Sequence, residues 1–92
     1  MDAGVKELFK LAGRFLVFGT QRFPSIEVDA YGMRKVEGQP LGIYLAMTPE
    51  YREAHPTMSI PIIDFDSEED VAEGLKRLDS LFVGIRRSME CR

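Results

Sequence analysis

The sequence holds one cysteine, one histidine and no tryptophan, and each scarcity narrows the chemistry available. Cys91 has no intrachain disulfide partner, so the fold must be held by burial, and the expected setting is a reducing cytoplasm. His55 follows Glu50 and Glu53 in an E-x-x-E-x-H spacing that matches no zinc or acid-base pattern. Ser25, Ser59, Ser67, Ser80 and Ser88 lack the setting of a nucleophile elbow. There are eight glycines but neither a G-x-G-x-x-G nor a Walker-type loop. Asp64, Asp66 and Glu68 begin like a calcium loop, yet Glu69 stands where glycine is needed and Leu75 where a bidentate glutamate is needed. No cofactor, no metal and no enzymatic activity are therefore expected. Long apolar runs are missing too. Lys6, Glu7, Lys10 and Arg14 break up the start of the chain, and no stretch approaches the ~20 residues needed to cross a bilayer, so neither a secretory leader nor membrane association is expected.

What the sequence does have is a legible helix over residues 66–92. Val71, Leu75, Leu78, Phe82, Ile85 and Met89 recur at alternating steps of four and three, which sets them on one stripe with Leu81 beside it. Asp66 or Ser67 caps the start, Glu68, Glu69 and Asp70 match the positive end of the helix dipole, and Arg86 and Arg87 match the negative end. A coiled-coil seam has the same spacing, but no systematic charge pattern flanks this one.

A first helix is expected over residues 2–18, with Val5, Leu8, Phe9, Leu11, Ala12, Phe15, Leu16 and Phe18 on one half and a basic row of Lys6, Lys10 and Arg14 on the other. Residues 14–18 also fit a strand, and which face of this helix is buried is left open. Gly19 reads as its stop. Ile26, Val28 and Ala30 alternate with Glu27, Asp29 and Tyr31 in a strand reaching towards Val36, with Gly32 as a bulge or bend. After the turn Glu37-Gly38-Gln39-Pro40, residues 41–47 alternate again and close a hairpin. Thr48-Pro49-Glu50 starts a short helix over Pro49–Ala54 that His55-Pro56 ends. Met58, Ile60 and Ile62 form a third strand, which Pro61 assigns to a sheet edge.

Together these predict one α+β domain over residues 1–92, in α-β-β-β-α order, with an antiparallel three-stranded meander and two helices packed on one face. With even positions of the first strand facing inward, Glu27, Asp29, Tyr31, Met33 and Lys35 share an outer face with Tyr44, Ile63 and Phe65. The element order is also that of the double-stranded-RNA-binding domain, a likeness of topology alone. Ser67, Glu68, Glu69 and Asp70 stand where such domains place basic residues.

Formal net charge is −3, which gives no overall attraction to nucleic acid or anionic membranes. The acids concentrate in the middle: residues 37–73 carry nine acidic groups and one basic. The functional expectation is a small non-enzymatic interaction module, a regulator, inhibitor or accessory subunit. It would bind another protein, one with a basic surface, through Asp64, Asp66, Glu68, Glu69, Asp70, Tyr31, Met33 and Tyr44. Pairing of two copies is a related expectation. The alternative is nucleic-acid binding through Lys6, Lys10, Arg14, Arg86 and Arg87, and a third reading is an enzyme built on His55 and nearby carboxylates.

Overall fold

Two antiparallel three-stranded sheets and one long helix share a core in the computed structural model, which describes the backbone of residues 7–90 and the side chains of residues 7–82. The first sheet consists of β1 (Phe9–Ala12), β2 (Phe15–Phe18) and β3 (Gln21–Pro24), and the second of β4 (Val28–Arg34), β5 (Leu41–Met47) and β6 (Ile62–Phe65). Both are meanders with the middle strand central. The short α1 (Pro49–Ala54) lies between β5 and β6, and α2 (Glu68–Glu90) follows β6. The mixed α and β character is as expected, whereas the single sheet with two long helices is not found.

The first sheet replaces most of the expected first helix. Among the described residues only Glu7 and Leu8 of that stretch are helical, and residues 9–18 form a hairpin. The cause is local. Gly13 and Gly19 take φ of 65° and 68°, while no non-glycine residue described has positive φ, so Arg14 and Thr20 continue each turn with ordinary backbone. Positive φ at the first of two turn residues is the type II′ pattern, whose twist suits a hairpin. Each glycine thus reverses the chain after four residues. Leu16 and Phe18 point into the core, together with Phe9 and Phe23 on the flanking strands. The strand alternative for residues 14–18 is therefore the one found, and Gly19 stops a strand rather than a helix.

In the second sheet β5 has the expected bounds, and β6 lies at an edge as Pro61 predicts. β6 starts later than expected, however, after Pro61, whose carbonyl accepts from the Leu45 amide at 3.0 Å. A further correction concerns facing. Val28 stands opposite Met47 but Ala30 opposite Ala46, so Asp29 is an extra residue in β4. That bulge turns the rest of the strand over. Beyond it Tyr31 pairs with Leu45 and Met33 with Ile43, on the core-facing side of the sheet. The even-inward rule fails there, and the bulge lies at Asp29 rather than Gly32. Gly32 instead makes room for the Tyr44 ring, since a Cβ at that position would lie 3.0 Å from the Tyr44 hydroxyl.

Helix α2 closes the core. Ser67 caps it, its Oγ accepting from the Asp70 amide at 3.2 Å, and Val71, Leu78 and Phe82 of the predicted stripe are buried among Phe9, Ile43 and Leu45. The stripe is thus used within the chain, each fully buried large side chain contributing roughly 1.5–3 kcal/mol. The side chains of Ile85 and Met89 lie outside the described residues. Arg77 fastens the helix to the first sheet, its Nε donating to the Phe9 carbonyl on β1 at 2.9 Å.

Candidate interaction surfaces

The five acidic residues expected to meet a partner divide by what they touch. Asp64, on β6, pairs with Arg34 of β4 at 2.8 Å. Glu68, at the start of α2, pairs with Lys35 at 2.6 Å, and the hydrogen bond and charge of that ammonium hold its carboxyl below the ordinary glutamate range. Asp66, Glu69 and Asp70 make no ion pair among the described residues. Two of the five are therefore engaged inside the chain, while Asp66 and Glu69 are exposed and Asp70 is half-buried.

Tyr31, Met33 and Tyr44 do not share a face, which corrects the expectation. Tyr31 lies under α2: its ring packs on Phe82 with centroids 5.6 Å apart, and its hydroxyl donates to Asp79 at 2.6 Å. Tyr44 lies on the opposite side of the sheet, against Gly32. Ile63 and Phe65, also expected outside, face inward, Ile63 opposite Ile43 and Phe65 against Phe9. For Tyr31 and Met33 the cause is the Asp29 bulge, whereas Ile63 and Phe65 take the face of Ile43 and Leu41, the β5 residues opposite them. Met33 still contributes to a surface. It sits between Tyr31, anchored at Asp79, and Lys35, anchored at Glu68, and keeps 40% of its area exposed; Val36 keeps 50%. The end of β4 and the start of α2 thus form a rim that is apolar on one side and acidic on the other.

The basic row expected along a first helix does not form between Lys10 and Arg14. Lys10 is in β1, and Arg14 is in the first hairpin turn, its carbonyl accepting from the Ser25 amide and hydroxyl. Lys6 and the side chains of Arg86 and Arg87 lie outside the described residues. What sequence reasoning missed is the outer face of the first sheet. Lys10, Val17 and Arg22 stand side by side across the three strands, and Ala12, Phe15 and Pro24 form the next row. Phe15 is 47% exposed. Two signals pointed there: glycines six residues apart, each opening a two-residue turn, and the absence of any carboxylate between Leu8 and Ser25.

His55 ends α1, stacked on Tyr51 with centroids 4.2 Å apart and its Nδ1–H donating to the Tyr51 carbonyl at 3.0 Å. This is the helix-ending role the sequence assigned to it, and the Thr48 cap is likewise in place, accepting from the Tyr51 amide. A groove of about 390 Å³ lies between the β2–β3 turn and residues 58–63, and it is lined by apolar, hydroxyl and amide side chains without a titratable group. Among the described residues no His, Cys, Asp and Glu side chains gather as a metal site, and no helix is long and apolar enough to cross a membrane. No protein-family model, curated protein or solved structure matches the chain.

Proposed function

We propose that this chain is a small non-enzymatic interaction module that binds another protein at the rim between β4 and α2. One observation carries the reading. The Lys35–Glu68 contact fastens the end of β4, next to exposed Met33 and Val36, to the start of α2, where Asp66, Glu69 and Asp70 flank Glu68 in sequence. An apolar strip edged by charge of one sign has the composition of an interface, and its sign selects a partner with a basic surface.

The test is capture of a protein from nuclease-treated lysate of the natural source by the tagged chain, repeated with Asp66→Lys/Glu69→Lys/Asp70→Lys and, separately, with Met33→Ser. A partner held by the parent chain is expected to be lost from the charge-reversed variant and weakened by Met33→Ser, while the circular dichroism spectrum is retained. Equal retention by all three removes the rim from the reading. Capture of nucleic acid alone would favour the basic residues instead.

A further inference from the structure

We infer that the outer face of the first sheet is a second docking surface, opposite in sign to the rim, and that its occupant is an acidic amphipathic segment of another protein. The proposal goes beyond the rim reading and rests on different residues.

The sheet has two faces with different fates. Phe9, Leu16, Phe18 and Phe23 point into the core, and the alternate positions point away from it. On that outward side the centre is apolar, with Phe15 opposite Ala12 and Pro24, and Val17 beside them. Lys10 and Arg22 flank Val17 from the two outer strands, and Arg14 stands in the turn just before Phe15. These three cations make no ion pair among the described residues. Their strands and turns hold no carboxylate, although the whole chain carries net charge −3. An apolar centre with a cationic border is the complement of a segment carrying an apolar stripe and acidic flanks.

Other occupants fit less well. A second copy of this chain brings its own net negative charge of −3 and is repelled at long range. Nucleic acid would find one aromatic ring to stack on and three cations, whereas single-strand binding draws on several rings along a basic track.

The experiment uses the full chain, labelled with nitrogen-15, and three probes. One is a synthetic helix-forming peptide with a leucine stripe and glutamate elsewhere, the second is its lysine-for-glutamate counterpart, and the third is a thymidine oligonucleotide. The glutamate peptide is expected to shift the amides of Lys10, Phe15, Val17 and Arg22. Lys10→Glu/Arg22→Glu should weaken that binding about tenfold or more, and Phe15→Ser should weaken it with the cations intact. If the charge-reversed chain loses its folded amide pattern, Lys10→Gln/Arg22→Gln takes its place. The proposal is overturned if the glutamate peptide leaves these amides unmoved, if the lysine peptide binds as well, or if only the oligonucleotide binds. Concentration-dependent shifts at the same amides without any probe would assign the face to a second copy and overturn it equally. Because the rim and sheet variants are read separately, failure of one surface leaves the other standing.

Discussion

The Arg34 guanidinium crosses the central strand of the second sheet to meet the Asp64 carboxylate at 2.8 Å, and it does so over Gly42, the residue opposite both. The same Nη2 also donates to the Pro40 carbonyl at 2.7 Å. The missing side chain at position 42 is what lets two outer strands communicate across the middle one.

Gly42→Ala is therefore expected to cost more than removing the ion pair it sits beneath. A Cβ there would lie 2.9 Å from the Ile63 carbonyl oxygen and 3.3 Å from Arg34 Nη2, so backbone must move. Overpacking of this kind costs roughly 1–3 kcal/mol. Asp64→Ala removes the exposed partner of the pair, Asp64 being 64% exposed against 19% for Arg34, and leaves the guanidinium its Pro40 carbonyl, so the loss should stay at about 1 kcal/mol. Urea unfolding of the two variants checks the ranking, and a larger loss for Asp64→Ala would refute it.

Gly74 sets a similar contest inside α2. Alanine in a helix interior gains about 1 kcal/mol over glycine. Here its Cβ would fall 2.6 Å from Ile43 Cδ1 and 3.0 Å from Phe9 Cε2, both on fully buried side chains. Because both belong to the packed core cluster, the steric cost of roughly 1–3 kcal/mol outweighs the gain. Gly74→Ala should lower the melting temperature, and a rise would show that the core yields at this point. Leu78→Ala, one turn on, opens a cavity instead and should cost roughly 2–5 kcal/mol.

Glu68 gives the fold an acid-sensitive contact. Its carboxyl titrates below the unfolded glutamate range because Lys35 donates a hydrogen bond to it and lies close in charge. A depressed carboxyl favours the folded state above its unfolded value, and that contribution fades as pH falls through the folded one. Lys35→Gln should move the Glu68 titration upward when followed by NMR. A titration that does not move would mean that the contact does not persist in solution.

Gly13 and Gly19 should both resist replacement by alanine, for partly different reasons. Each holds a positive φ that costs an L side chain roughly 1 kcal/mol. A Cβ at Gly13 would meet nothing within 4 Å, whereas one at Gly19 would approach Ile63 Cδ1 to 3.0 Å. Gly19→Ala is expected to be the more destabilising in a denaturant series; equal losses would place the whole cost in the backbone.

The parts legible in the sequence are those in which one period runs long enough to be read. The stripe of α2 persists through several turns, and α1 carries a threonine cap and a proline within its first turn, so both were placed. The β1–β3 meander was hidden because strands of four residues are too short to display alternation. Two-residue turns then brought apolar side chains back at intervals that imitate a helix. The Tyr31, Met33 and Tyr44 surface was misjudged because one inserted residue, Asp29, changes the parity of everything after it, and alternation carries no mark of such an insertion. The acidic run was visible as composition, but which carboxylates are engaged depends on Arg34 and Lys35, which are about thirty residues distant in sequence.

The contact between Arg77 and the Phe9 carbonyl has a bearing on how copies of this chain behave when crowded together. Outer strands with unsatisfied amides and carbonyls are templates for aggregation. Here β1 has a carbonyl occupied by Arg77, β3 ends in Pro24, β4 is distorted at Asp29, and β6 is four residues long with Pro61 ahead of it. Among the described residues each of the four outer strands of the two sheets thus carries its own obstacle to an incoming strand, and intermolecular β-pairing finds no long regular border there from which to propagate.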